Sequence, residues 1–260
     1  MINPVNMWGL GSRRIELESD RYILHVDRVA STMDTARKLL SKGDRQVLAV
    51  AAGFQTKGRG RRGGAWVAPP DSCLLITYFL PPTPSATFDA QQISFAAGVA
   101  VAQAITSATD GEITPKLKWP NDVIVGNKKI AGVLIEIATG VEPDQIVPLV
   151  GIGINVNVPE FPADIADVAT SIELETGLLC DVNSLEEIVR KNLLMLAEEG
   201  WQEVLSLWRS YDATTGIRYT MDHEGNRVEG IAVGISDSGA LQLRVGDTIL
   251  ETVAATSSAG

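Results

Sequence analysis

The residues with most chemistry to offer lie in one short stretch. Positions 57–64 read Lys-Gly-Arg-Gly-Arg-Arg-Gly-Gly, four cations within six positions of a 260-residue chain whose formal charge is −10. Guanidinium forks bind phosphate and carboxylate oxygens in pairs, and glycine lets backbone close around an anion. Gly58, Gly60 and Gly63 satisfy G-x-G-x-x-G literally. A dinucleotide site, however, needs a helix next and an acidic residue about twenty positions on. Ala65-Trp66-Val67-Ala68-Pro69-Pro70 is a poor helix start, and Asp89, the acidic residue nearest that spacing, opens a different helix. An anion site and a solvated basic loop both fit what is left. Like charges this close repel until an anion arrives, which predicts a loop that orders on binding.

Three further clusters carry weaker signals. KWPND at 118–122 sets an amide and a carboxylate just past an extended segment, where Asp122 could hold Mg²⁺ or orient a base. Pro-Asn-Asp is equally good turn chemistry anywhere. KKIAGV at 128–133 puts Lys129 at the mouth of an apolar strand, able to project into a cleft or simply to flank an edge. GIGINVN at 151–157 alternates glycine with β-branched residues, leaving room for a ligand or for another backbone.

Composition removes other chemistries. Two histidines, His25 and His223, stand far apart, and two cysteines, Cys73 and Cys180, share no cluster with them. A histidine-based triad or a zinc site has little to draw on. Two cysteines make no disulfide framework, and Cys73 in SCLLITYF reads as a buried, inert thiol. No apolar run approaches the roughly 18–20 residues of a membrane span, and the first twenty residues show no signal-peptide pattern. With 22 basic against 32 acidic side chains the chain is a poor general nucleic-acid binder. A cytoplasmic location and no membrane partner are expected.

The elements that must position these groups alternate irregularly, which predicts an α+β body. Strands are expected at 22–26, 46–52, 73–80 and 147–158, with 116–119 extended and 123–125 paired to 130–137 through a Gly126-Asn127 turn. Helices are expected at roughly 33–42, capped by Ser31 or Thr32 and stopped by Gly43, at 89–107, and at 185–196, restarting over 201–208. Residues 53–64 are too glycine-rich and charged for either element. After Tyr211 short strands alternate with turns, predicting a small all-β module, and 256–260 should be frayed.

Taken together and in order, these features resemble the biotin protein ligases. The match rests on Ser31-Thr32, Gln55 ahead of GRGRRG, Trp66 after it, KWPND, KKIAGV, GIGINVN and the segment at 234–240. The resemblance implies a mixed-sheet biotin/lipoate ligase-like catalytic domain (1–210) and a small SH3-like β domain (211–260). It implies an enzyme that forms biotinyl-5′-AMP from biotin and MgATP, then biotinylates a lysine of a biotin carboxyl carrier domain. By matched position Lys129, Arg61 and Asp122 are catalytic, with Asp122 as the Mg²⁺ ligand. Ser31, Thr32, Gln55, Arg59, Gly60, Arg61, Lys129 and Gly132 take biotin. Gly58, Arg61, Arg62, Trp66, Asn121, Lys129 and Asn155 take ATP or the adenylate. Gly64 stands where the family often has arginine, and Met33 where it commonly has asparagine. Few residues precede the first strand, so the form without a DNA-binding domain is expected; a homodimer is left open. The alternatives are a lipoate–protein ligase of the same fold and a catalytically silent module that uses the basic loop to hold a partner.

Overall fold

The computed structural model describes residues 11–17, 20–139 and 144–257, with the Arg62 side chain outside that set. The strands are β1 (Ser12–Glu16), β2 (Tyr22–Val29), β3 (Val47–Gln55), β4 (Gly58–Arg59), β5 (Ala65–Trp66), β6 (Cys73–Phe79), β7 (Thr83–Pro84), β8 (Lys116–Lys118), β9 (Asp122–Val125), β10 (Lys128–Ala138) and β11 (Gln145–Asn155). The main sheet runs β1-β2-β3-β6-β11-β10-β9-β8, with β7 against β11. β2 and β3 are parallel and the other pairs antiparallel, so the sheet is mixed.

Both faces of the sheet are covered, which is why all seven residues of β6 are buried. Helix α1 (Thr32–Ser41) lays Met33, Ala36, Leu39 and Leu40 against Tyr22, Leu24, Val50 and Leu149 on one face. On the other face α2 (Ala90–Ala108) packs with α4 (Val182–Glu198) and α5 (Trp201–Ser210) over Ala51, Ile76 and Ile152. Asp89 caps α2 through the amides of Gln91 and Gln92, and Asp181 caps α4 through Asn183 and Ser184. Ser31 sits at the N-cap of α1 without a side-chain cap bond, and Gly43 (φ +82°) follows its end.

The C-terminal strands β12 (Arg218–His223), β13 (Asn226–Ile235), β14 (Leu241–Val245), β15 (Thr248–Thr252) and β16 (Ala255–Ser257) form a second, antiparallel sheet ordered β15-β14-β13-β12-β16. Tyr219, Met221, Leu241 and Leu243 join the same core as α2 and α5, so the two sheets share one apolar interior. An α+β body carrying a small β module is the architecture expected from the sequence.

Three local expectations are corrected. Residues 53–64 are not an irregular loop: β3 continues to Gln55, and β4 pairs with β5 around a 3₁₀ turn, Arg61–Gly63. The turn closes because the Gly60 amide reaches Gly64 O at 2.6 Å and the Gly64 amide reaches Arg61 O at 2.9 Å. Glycine composition conceals this, since the bonds are made by backbone alone. Thr256 and Ser257 are not frayed but pair with β12, while residues 258–260 lie outside the described set. The strand β1 and the five-residue helix α3 (Ile172–Thr176) carry too little periodicity to be read from sequence.

Candidate active site

Side chains alternate across a strand, so Lys129 and Gly132, three positions apart, should face opposite sides of β10. A bulge prevents this. Lys129 pairs with Ile124 and Ala131 with Val123, leaving Ile130 as the extra residue. The inserted residue turns Lys129 onto the face of Gly132 and of Asp122, which is opposite Gly132 in the ladder. The other side of Lys129 is held by its amide on Val168 O and by its carbonyl receiving the Thr170 amide. The result is an ion pair, Lys129 Nζ to Asp122 Oδ1 at 2.5 Å, partly exposed on the sheet.

The same face continues through Gly132, Gly153 opposite it, and Gly151 two residues along. With no side chains there, the sheet presents a trench. The Trp66 indole lies in it: a Cβ on Gly153 would come 2.6 Å from Trp66 Cε2, and one on Gly132 3.2 Å from Cζ3. Lys129 Nζ stands 5.7 Å from the indole centre, a cation–π distance. The Trp66 Nε1–H is buried with no protein acceptor.

At the α1 end the polar groups are neutral. Thr77 Oγ1 donates to Thr32 Oγ1 at 2.8 Å, and Gln55 Oε1 accepts from the Thr32 amide at 2.8 Å and its hydroxyl at 3.2 Å. These bonds orient the Gln55 carboxamide, whose nitrogen lies 3.3 Å from where a Cβ on Gly58 would stand. The basic ribbon borders the same cavity. Arg59 is held by Asp34 of α1 at 2.7 Å and by Glu136 of β10 at 3.4 Å, and Glu136 also takes Arg37 at 2.5 Å. Partial burial opposes the Arg59 charge, but these two carboxylates outweigh it and raise its pKa.

Ser31, Thr32, Gln55, Arg59, Gly60, Arg61, Trp66, Asn121, Asp122, Lys129 and Gly132 thus line one cavity of about 270 Å³. Three expected residues do not reach it through a described side chain. Asn155 is buried, with its NH₂ on Thr170 O at 2.9 Å and its carbonyl 3.7 Å from Cys73 Sγ. Gly58 packs on the Trp66 backbone, where a Cβ would collide. The Arg62 side chain lies outside the described residues. Asn121 lines the cavity but spends its NH₂ on Val133 O at 2.5 Å. Met33, Thr77, Gly151 and Gly153 were not predicted as site residues. Met33 lines the wall beside Gly151, whose added Cβ would sit 3.1 Å from Met33 Cε. Glycine alternation in GIGIN marked the trench; nothing in the sequence marked Thr77.

Among the described residues no three His, Cys, Asp or Glu side chains converge as metal ligands, and Asp122 is committed to Lys129. One carboxylate suits a Mg²⁺ carried on a nucleotide's phosphates rather than a metal held by protein ligands alone. Cys73 is buried, and burial raises its thiol pKa, so it is the inert thiol expected. No helix among the described residues is long and apolar enough to cross a membrane.

Residues 26–155 match the biotin/lipoate A/B protein ligase family, and 217–255 match the biotin protein ligase C terminal domain. The biotin–[acetyl-CoA-carboxylase] ligase of Paracoccus denitrificans is 32% identical over 202 residues, 75% of this chain and 83% of that protein. The bifunctional ligase/repressor BirA of Bacillus subtilis is 30% identical over 242 residues, 88% of this chain and 71% of that protein. The biotin protein ligase from Aquifex aeolicus, solved in complex with biotin and ATP, superimposes with a TM-score of 0.74 at 29% identity, over 91% of this chain and 97% of that one. A trench of glycines lined by neutral hydrogen-bonding groups and by a basic ribbon, on this sheet and with these relatives, places the chain in the biotin protein ligase family.

Proposed function

We propose that this chain joins biotin to MgATP as biotinyl-5′-AMP with release of pyrophosphate, then passes the biotinyl group to a lysine of a biotin carboxyl carrier domain. The observation that carries the reading is the polarity of the cavity. Neutral groups on Ser31, Thr32 and Gln55 suit the neutral ureido ring, whose donors and acceptors need neutral partners in a dry pocket. Lys129, Arg59 and Arg61 suit two anions that must meet.

That meeting is the physical difficulty. A carboxylate approaching the α-phosphate is opposed by about 4 kcal/mol per unit-charge pair at ~4 Å and an effective dielectric near 20. In our reading Lys129 bridges the biotin carboxylate and the α-phosphate and stabilises charge growing on phosphorus. Asp122 orients its ammonium through the 2.5 Å pair. The carboxylate oxygen attacks phosphorus, the bond to pyrophosphate breaks, and the acceptor amine later displaces AMP from the mixed anhydride. Magnesium enters as part of the nucleotide substrate rather than as a resident ion. The unpaired Trp66 Nε1–H is a donor available to the nucleotide. Arg61 and Asn121 border the acyl-phosphate position, Gly60 and Gly132 make room beside it, and Arg62 is carried on the turn of the ribbon.

Division into a catalytic domain over 1–210 and a β domain over 211–260 belongs to the same proposal, as does a cytoplasmic setting, which suits two unpaired cysteines and a need for ATP. One chain supplies every group used, so the mechanism does not require a dimer. The test is mass spectrometry of a carrier domain incubated with the protein, biotin and MgATP. One biotinyl group on one lysine is expected. An unmodified acceptor, alongside full modification by an established ligase, would overturn the transfer step.

A further inference from the structure

We propose that the C-terminal sheet takes part in biotin adenylation through Tyr219, a positioning residue that holds the Trp119-Pro120-Asn121-Asp122 turn and thereby the Asp122–Lys129 pair. The inference rests on the role given above to that pair.

Trp119 is 2% exposed and has three polar groups, its amide N–H, its carbonyl and its indole N–H. All three are met by residues from beyond position 210. Thr214 Oγ1 accepts the amide at 2.8 Å, the Tyr219 hydroxyl donates to the carbonyl at 3.0 Å, and Gly239 O accepts the indole N–H at 3.3 Å. The Tyr219 ring also meets the indole edge-on at 6.2 Å. The far end of the turn is fixed from β10, where the Val133 amide reaches Asn121 O at 3.0 Å. Asp122 comes next and carries the pair to Lys129. The turn that aims the carboxylate is therefore anchored at one end by the catalytic sheet and at the other by the C-terminal module.

Tyr219 is the anchor that a substitution can remove without emptying space. A buried carbonyl that loses its donor has no water to turn to, so the turn shifts to recover a partner. Burial first, then the charges of Asp122 and Asp212, holds the Tyr219 hydroxyl well above the usual phenol pKa, so it remains a donor across the working range. The hydroxyl does not touch the cavity, and its influence runs through the backbone it holds.

The experiment is a double-mutant cycle of Tyr219→Phe and Asp122→Asn, read as biotin-dependent pyrophosphate release with kcat and KM separated. Tyr219→Phe is expected to lower kcat about tenfold and leave both KM values within about twofold. Asp122→Asn is expected to lower kcat about a hundredfold, and the double variant to be no slower than Asp122→Asn alone. Thr214→Val, which removes the acceptor on the other side of Trp119, should reproduce the kcat loss and serves if Tyr219→Phe does not fold. The inference is overturned by parent-like kcat in these folded variants, or by a Tyr219→Phe loss that recurs in full beside Asp122→Asn. An unchanged rate in Asp122→Asn overturns the role of Asp122 itself and takes the inference with it. That outcome differs from failure of the inference alone, where Asp122→Asn is slow and Tyr219→Phe is not.

Discussion

The bulge at Ile130 sets Lys129 directly against Gly132, and this closeness gives Gly132→Ala a calculable effect. The new Cβ would stand 2.9 Å from Lys129 Cε and 3.0 Å from Nζ. Carbon contacts settle near about 3.5–4.0 Å, so the ammonium must withdraw by roughly 0.5–1 Å. At an effective dielectric of 20, moving it from ~4 to ~5 Å from a unit negative charge loses about 0.8 kcal/mol. Two anions meet at this site, so the loss is about 1.7 kcal/mol, or roughly twentyfold in rate. Poorer alignment of the reacting atoms deepens it toward about a hundredfold. Stability should change little, because the nearest neighbour is the flexible end of a lysine, while the small shift asked of Trp66 Cζ3 at 3.2 Å is offset by alanine suiting a strand better than glycine by about 0.5–1 kcal/mol. The assay is steady-state biotin-dependent pyrophosphate release, run beside thermal unfolding of the same preparation. A folded Gly132→Ala protein with a rate within about threefold of the parent would refute the placement of Lys129 at the reacting centre.

Lys129→Ala removes the ammonium outright; counting one anion alone at about 4 kcal/mol, its loss should slow adenylation by at least about a thousandfold with the fold intact, and near-normal pyrophosphate release would remove Lys129 from the mechanism. Gly153→Ala drives a methyl against the rigid Trp66 ring, with 2.6 Å to Cε2 and 2.8 Å to Cζ2. Overpacking of this kind costs about 1–3 kcal/mol, so urea unfolding followed by tryptophan fluorescence should shift to lower denaturant; an unmoved midpoint contradicts the stacking. His25 has a pKa lowered chiefly by burial and secondly by Arg13, and its Nδ1 is buried without a partner. The unfolded chain therefore takes up this proton first as pH falls. Stability present above about pH 6.5 is lost as pH drops through the folded value. The thermal midpoint of His25→Gln should fall less steeply than the parent's as pH drops below about 6.5; parallel curves would show that His25 does not contribute.

Much of the site was legible because its residue types are rarely assembled by chance. The basic glycine stretch, KWPND and the alternating glycines of GIGIN all border one cavity. The hairpin through Gly126 and the long helix behind Asp89 were legible for a simpler reason, since turn chemistry, capping and apolar period agree there. What period-two reading cannot show is the bulge. Taken at face value, 129 and 132 lie on opposite faces, and only the register reveals that they share one. Trp66 was placed near the nucleotide, but that it fills the space above Gly153 is a property of packing between strands distant in sequence. Asn155 shows the converse, a motif residue whose amide is spent internally on Thr170. The ribbon at 58–66 was missed because backbone bonds, not side chains, close it. The reach of Tyr219 to Trp119 spans a hundred positions in the chain and leaves no local signal.

The central claim is that this cavity activates biotin, and it is tested most directly by pyrophosphate release from MgATP with biotin, with lipoate, and with neither acid. Release with biotin alone is the predicted result. Release with lipoate alone, or silence with both acids from a folded protein, would contradict it.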